Sequence, residues 1–292
     1  MRPRYGWDIG SRRLPLGGRT LVMGVLNVTA DSFSDGGLYC DTFAAVEHGI
    51  RLLDHGADIV DIGGQSTRPG SSLQSVTEEE ELHRVLPVVR ELKRRRSDAV
   101  ISIDTWKSGV ARAAVEAGAE IVNDVSGCAW DPSMLPTLSQ LRCGAVLMHT
   151  RGRPDEWASL PPVDDMVALV GGDLQKSVQD ARNAGIAGQR LVLDPGFGFG
   201  KRWEENFPLL RRFEELHALG YPLMAGPSRK SFVGRATARA GVTLLARERL
   251  VGSLAAAVIC IMKGSHIMRV HDVRETVEAA AMADAVLNYG EN

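Results

Sequence analysis

Residues 100–124 read VISIDTWKSGVARAAVEAGAEIVND, and their pattern decides the fold. Two short apolar runs, 100–104 and 120–123, flank a segment of helical spacing that closes on Gly118. Neither run alternates strictly between apolar and polar, as expected of strands buried on both faces of a parallel sheet. Each run ends on a hydrogen-bonding group, Asp104 in one case and Asn123 in the other.

Working outward, the same unit recurs. Runs rich in Val, Ile and Leu lie at 21–28, 58–62, 145–149, 191–194, 222–226 and 267–270, with helical spacing between them. Ahead of one helix Thr77 and Glu80 form a capping box, and Leu82, Val85, Leu86 and Val89 follow at i, i+3, i+4 and i+7. Pro87 inside that pattern predicts a kink or a late start. Helices are expected to end on Gly56, Gly118, Gly185, Gly220 and Gly264, where a left-handed residue is tolerated.

Repeated strand-then-helix units have two good solutions, an open doubly wound sheet or a closed barrel. A doubly wound dinucleotide binder carries GxGxxG directly after its first strand. Here residues 29–35 read TADSFSD, without phosphate-cradling glycines. A count of eight units favours an α/β fold of the (β/α)8 TIM-barrel type. With no Pro/Ser-rich linker, a single domain is expected, residues 21–292 forming the barrel behind a lead-in of residues 1–20.

Composition bounds the partners. The chain has 292 residues, is 44% hydrophobic and carries a net charge of −2, which excludes disorder and a nucleic-acid binder working by bulk positive charge. Any anion must be met by locally placed cations. Cys40, Cys128, Cys143 and Cys260 lie far apart with no CxxC pair, so neither a zinc knuckle nor a disulfide framework is expected. The N-terminus lacks the apolar run of a signal peptide, and the longest apolar stretch, 254–262, is too short to span a bilayer. A cytoplasmic setting is the expectation.

In such barrels the chemistry sits at the C-terminal ends of the strands. The polar residues there are Asn27, Ser66-Thr67-Arg68, Asp104, Asn123-Asp124, His149, Asp194, Ser228-Arg229-Lys230, and Arg269 with His271. Any one of them can be a cap or turn residue, but every strand ends so. Asp104, Asn123 and Asp194 come from the middle strands and suit the ring nitrogens and amino group of a flat heterocycle. Lys230, Arg269 and His271 come from the last two strands, where barrels commonly bind phosphate, and Arg68 adds a cation from the second loop. The pattern suggests a heterocycle with a phosphate-bearing arm.

Other features have plainer readings. GFGFGK at 196–201 is not a Walker A sequence and reads as a tight turn carrying Phe199 toward a ligand, with phosphate binding as the alternative. His149, His271 and Asp104 lack the HxxxH or HxH spacing of a metal site. Cys143 reads as core. Trp106 and Trp130 read as packing against helices, or else stacking on a ring. The run Lys93-Arg94-Arg95-Arg96 reads as a solvated helix C-terminus matched to the dipole.

The longer motifs resemble the dihydropteroate synthase family from residue 21 to residue 288. MGVLNVTADSFSDGG (23–37), GGQSTRPGS (63–71), IDT, NDVSG, LMH, DPGFGFGK, GPSRKSF and RVHDV follow in family order. The resemblance implies transfer of a dihydropterin methylene from pyrophosphate to the amine of p-aminobenzoate. It places the pterin on Asp104, Asn123, Met148, Asp194, Gly226 and Lys230, and the pyrophosphate on Asn27, Arg269 and His271, with Mg²⁺ at Asn27. Thr67, Arg68, Pro69, Phe199 and Ser231 shape the p-aminobenzoate site; Asp104, Arg68 and Lys230 are the catalytic set. It also implies mobile loops over 29–41 and 65–75 and a homodimer through the apolar helix at 250–262, which could equally be buried in the barrel's own wall. The chain departs from the family pattern at Ala30, Gln65 and Thr150, where Pro, Glu and Met are usual. The pterin-binding barrel of corrinoid-dependent methyltransferases is the nearest rival, but STRPG, SRK and RVH suit a pyrophosphate that it does not bind. A silent pterin-binding paralogue is a second rival, and the intact set Asn27, Arg68, Lys230, Arg269 and His271 argues against it.

Overall fold

A computed structural model describes residues 2–29, 37–66, 76–238, 242 and 244–290. Its chain begins with a hairpin, β1 (Tyr5–Asp8) antiparallel to β2 (Arg13–Leu16). Then β3 (Leu21–Asn27), β4 (Ile59–Gly63), β5 (Val100–Asp104), β6 (Ile121–Asp124), β7 (Gly144–Met148) and β8 (Leu191–Asp194) pair in parallel, each with the next. On the far side of β3 lies β10 (Ile267–Val270), which pairs with β9 (Met224–Ala225). A parallel bridge from Leu193 to Leu223 closes the ring.

Helices α1 (Gly37–Asp54), α2 (Glu78–Arg95), α3 (Ser108–Glu116), α4 (Met134–Gln140), α5 (Met166–Asn183) and α6 (Asn206–Arg211) each follow one strand. Helices α7 (Ser231–Thr237) and α8 (Leu250–Met262) follow β9, and α9 (Val273–Leu287) follows β10. The expected barrel is the observed one. The ninth strand is only two residues long, and just ahead of it the Leu223 amide donates to His266 Nδ1 at 3.0 Å instead of to a neighbouring strand.

All five expected terminal glycines have positive φ, from 78° at Gly220 to 116° at Gly118. Helix α2 starts at Glu78, with the Thr77 hydroxyl accepting from the Glu80 amide at 3.1 Å, so Pro87 does not delay it. Pro87 and His83 are both exposed, so the carbonyl that loses its donor can face water. Of the expected loop 29–41, residues from Gly37 onward belong to α1; residues 30–36, Ala30 among them, lie outside the described residues, as does 67–75.

Two apolar layers hold the barrel. One lies between strands and helices, and Cys143 is fully buried in it. The other fills the floor: Trp7, Ile9 and Leu16 from the hairpin pack against Met23, Ile59, Val100, Ile121, Val146, Val192, Met224 and Ile267. Trp7 is 1% exposed and its indole donates to the Arg190 carbonyl at 2.9 Å. The lead-in is therefore a plug under the barrel, which leaves the opposite mouth, where the strands end, open for chemistry.

Candidate active site

The open mouth gathers what the strand ends promised. Asn123 (β6), Met148 (β7), Asp194 (β8), Phe199, Gly226, Lys230 and Arg269 (β10) line one cleft. Asp104 (β5) joins them through Arg269, whose Nη2 donates to it at 2.5 Å. The register explains the grouping: Asp104 pairs with Asn123 across β5 and β6, and Met148 with Asp194 across β7 and β8. Gly226 stands beside Asp194, whose Oδ2 would be 3.9 Å from a Cβ there, so a bare backbone keeps the cleft open.

The 196–201 segment is a tight turn. Gly196 has φ +66°, and a Cβ on it would meet the His149 carbonyl oxygen at 1.9 Å, so only glycine fits. Its amide donates to Asp194 at 2.7 Å, tying the turn to the site. Lys201 is buried and donates to the carbonyls of Gly196 (2.8 Å), Phe199 (3.2 Å) and His149 (3.3 Å). It braces the turn rather than facing a phosphate. Phe199 packs with Val125 and Met148, and Lys230 Nζ stands 3.8 Å from its ring centre.

The last two loops are stitched together. His271 Nδ1 lies 3.1 Å from Ser228 Oγ, and the His271 amide donates to the same hydroxyl. Arg229, a non-glycine residue at φ +58°, is held by Nε to Asp272 at 3.0 Å. That strained backbone turns Lys230 inward while the neighbouring Ser231, the first residue of α7, is exposed. Asn27 ends β3, half-buried, in register with Gly63. Thr67, Arg68 and Pro69 lie outside the described residues.

Asp61 escaped the sequence reading. It sits mid-strand in β4, fully buried, accepting from Arg269 Nε at 2.7 Å and Asn123 Nδ2 at 3.0 Å. The signal was present: a lone carboxylate in the otherwise apolar run IVDIG. A second buried ion pair lies beneath the second loop, where Lys107 Nζ reaches Glu81 at 2.5 Å and Gln65 Oε1 at 2.7 Å. Gln65, where the family pattern usually has Glu, is thus a neutral acceptor for Lys107. At Thr150 the hydroxyl is buried and finds no partner among the described residues. Trp106 and Trp130 meet edge-to-face, half-buried, 6.1 Å apart, packing on each other.

Burial sets the electrostatics. It lifts the Asp104 carboxyl to about 7, against the pull of Arg269, and Asp194 to about 6, against the Gly196 amide and Arg269. The same burial lowers Lys230 to about 7, with Arg269 adding to the effect. For Arg269, burial is outweighed by Asp61 and Asp104, which hold it firmly charged. The site therefore sets carboxyls lifted toward neutrality beside an ammonium lowered to meet them, as expected where a ligand supplies the missing counterparts. Buried His149 is lowered to about 4 and stands 3.1 Å from Asp173. Among the described residues no group of three or more His, Cys, Asp or Glu could hold a metal ion by itself.

The mouth offers acceptors on one side and cations on the other, and a family model described as pterin binding enzyme matches residues 23–271. Dihydropteroate synthase of Escherichia coli (strain K12) is 44% identical over 271 residues, 93% of each chain. Two solved structures of the Xanthomonas albilineans dihydropteroate synthase superpose closely. The one with 4-aminobenzoic acid gives a TM-score of 0.88 at 44% identity, covering 98% of this chain and 99% of that one. The complex with 7,8-dihydropteroate gives 0.83 at 39%, covering 97% and 98%. The chain belongs to the dihydropteroate synthase family.

Proposed function

We propose that the chain joins 6-hydroxymethyl-7,8-dihydropterin pyrophosphate to p-aminobenzoate, releasing pyrophosphate and forming 7,8-dihydropteroate for folate synthesis. The observation that carries this reading is the sorting of groups round one mouth: buried Asn123 and Asp194 and half-buried Asp104 as acceptors, against Lys230 and Arg269. Asp104, Asn123, Asp194 and Lys230 hold the pterin edge to edge, with Met148 and Gly226 flanking its faces. Asn27, Arg269 and His271 take the pyrophosphate. Arg269 lies against Asp61 and Asp104, so it spans the boundary between ring and leaving group. Thr67, Arg68, Pro69, Phe199 and Ser231 receive p-aminobenzoate.

The mechanism asks little covalent help of the protein. As the C–O bond to pyrophosphate breaks, positive charge spreads from the methylene into the ring. Ionised Asp104 and Asp194 stabilise that charge, while the cations stabilise the departing anion. The arylamine of p-aminobenzoate then forms the C–N bond to the methylene, and its proton passes to the released pyrophosphate or to solvent. Asn27 offers one amide oxygen, which fits Mg²⁺, an ion that keeps several waters and takes its remaining ligands from phosphate oxygens. When bound there it would neutralise leaving-group charge.

A homodimer through the last helices is supported by exposed apolar side chains: Val251 (79%), Ile259 and Met262 on α8, and Met282 and Val286 on α9. No described helix is long and apolar enough to cross a membrane, in keeping with a cytoplasmic enzyme. The deciding experiment is pyrophosphate release from purified protein. Release that needs both the pterin pyrophosphate and p-aminobenzoate is expected, and no release with both present would overturn the reading.

A further inference from the structure

We propose that Arg249 and Ser253, at the start of α8, are positioning residues for Lys230: they clasp Arg229 in its left-handed conformation and so fix where the lysine enters the cleft. This rests on the pterin reading above, in which Lys230 holds the ring. Arg229 stands at φ +58°, a conformation that costs a residue with a Cβ about tenfold in population. Something must hold it there. Its backbone N–H donates to Ser253 Oγ at 2.9 Å, and its carbonyl accepts from Arg249 Nη1 at 2.8 Å. An N–H can only donate, so the serine hydroxyl spends its own hydrogen on the Arg249 carbonyl, 2.7 Å away. Two residues one helical turn apart thus close a ring of hydrogen bonds round a single residue. The two peptide units that meet at the Arg229 Cα are each pinned by one of these bonds, which fixes φ and ψ together. The pair with Asp272 holds the Arg229 side chain but neither peptide unit.

The sequence around the clasp is shaped to it. Arg249 turns Nε and Nη2 to the Leu244 carbonyl, at 3.1 and 2.8 Å, so its guanidinium is not free to swing aside. Gly234 lies in α7, where alanine is the better helix former, yet a Cβ there would stand 2.4 Å from Arg249 Nε. The glycine clears a path for the guanidinium. Ser253 is a buried hydroxyl in an otherwise apolar helix, and the clasp supplies its partners. Downstream, the Lys230 carbonyl accepts from the Gly234 amide at 3.3 Å, so the lysine is held between the clasp and the first turn of α7. From that anchor its side chain passes Gly198, where a Cβ would be 3.3 Å from Lys230 Cδ, and brings Nζ to 3.8 Å from the Phe199 ring centre. Ser228, on the other side of Arg229, has its own tie to His271. Loosening the clasp therefore acts on Lys230 in particular.

The test is a double-mutant cycle read as the Kd of 6-hydroxymethyl-7,8-dihydropterin, by calorimetry under anaerobic conditions. Ser253→Ala removes one bond of the clasp and should raise Kd about fivefold, because affinity falls with the fraction of protein in the binding conformation. Arg249→Met keeps the stem but removes every donor, and should raise Kd about tenfold. In a Lys230→Met background no ammonium remains to be placed, and each change should move Kd by less than about twofold. Gly234→Ala serves if the Arg249 variant does not fold. It adds helix propensity while blocking the path of the guanidinium, and should weaken pterin binding only where Lys230 is present. Variants that weaken binding by the same factor in both backgrounds, or that leave the natural Kd unchanged, would overturn the proposal while leaving the pterin reading intact. A natural protein that binds no pterin would overturn that reading, and this inference with it.

Discussion

Replacing Asp104 with asparagine should flatten the pH dependence of pterin affinity. Burial lifts this carboxyl to about 7, against the pull of Arg269. An acid titrating there is ionised above that pH and protonated below it, and only the ionised form accepts freely from the ring N–H. Between pH 7 and pH 5 its ionised fraction falls from roughly one half to roughly one hundredth, weakening affinity about fiftyfold. Asp194, lifted to about 6, adds about tenfold over the same interval. Lys230, lowered to about 7, gains its proton as the pH falls and offsets about twofold. The natural protein should therefore lose affinity by roughly 250-fold, and Asp104→Asn by only about fivefold. The assay is the Kd of 6-hydroxymethyl-7,8-dihydropterin by calorimetry at pH 5, 6 and 7. A folded variant with the natural protein's slope would refute the assignment of that titration to Asp104.

At the opposite end, Trp7→Ala should cost about 3–5 kcal/mol in urea unfolding, because a buried indole and its bond to the Arg190 carbonyl are both lost. Turnover of the variant below its unfolding transition should stay within about twofold, since no strand end is touched; a large loss of turnover in folded protein would contradict the separation of floor and mouth. Arg68→Ala should lower kcat/KM for p-aminobenzoate by about 10–100-fold while the pterin Kd changes less than about threefold, and an equal loss in both would reverse the division of roles. Val251→Asp with Met282→Asp should shift sedimentation from dimer to monomer, as charges are placed in the apolar face of α8 and α9. Unchanged sedimentation would place the interface elsewhere.

How far the sequence could be read depended on which physical signal each residue carried. The strands of the ring were legible because burial on both faces demands unbroken Val, Ile and Leu, and the helix ends because Gly118 and its counterparts need positive φ. Asp104, Asn123, Asp194, Lys230 and Arg269 were legible because a barrel displays its polar groups at the strand ends. Asp61 was not, because its importance lies in partners drawn from strands 62 and 208 residues away. The 196–201 segment was legible as a tight turn from its glycines, and the three carbonyl partners of Lys201 account for its lysine without a phosphate. The hairpin of residues 5–16 was missed because strands so short give little periodic signal, although Trp7, Ile9 and Leu16 are the residues that fill the floor.

That hairpin also constrains the order in which the molecule can be made. Its first strand leaves the ribosome early, yet Trp7 rests on Arg190 and the floor is completed only by Met224 and Ile267. Arg2 pairs with Asp284, 282 positions later, and β3, the first strand of the ring, waits for β10. The tryptophan-bearing ribbon therefore lacks its floor until β9 and β10 have followed it, and closing the ring joins segments of high sequence separation.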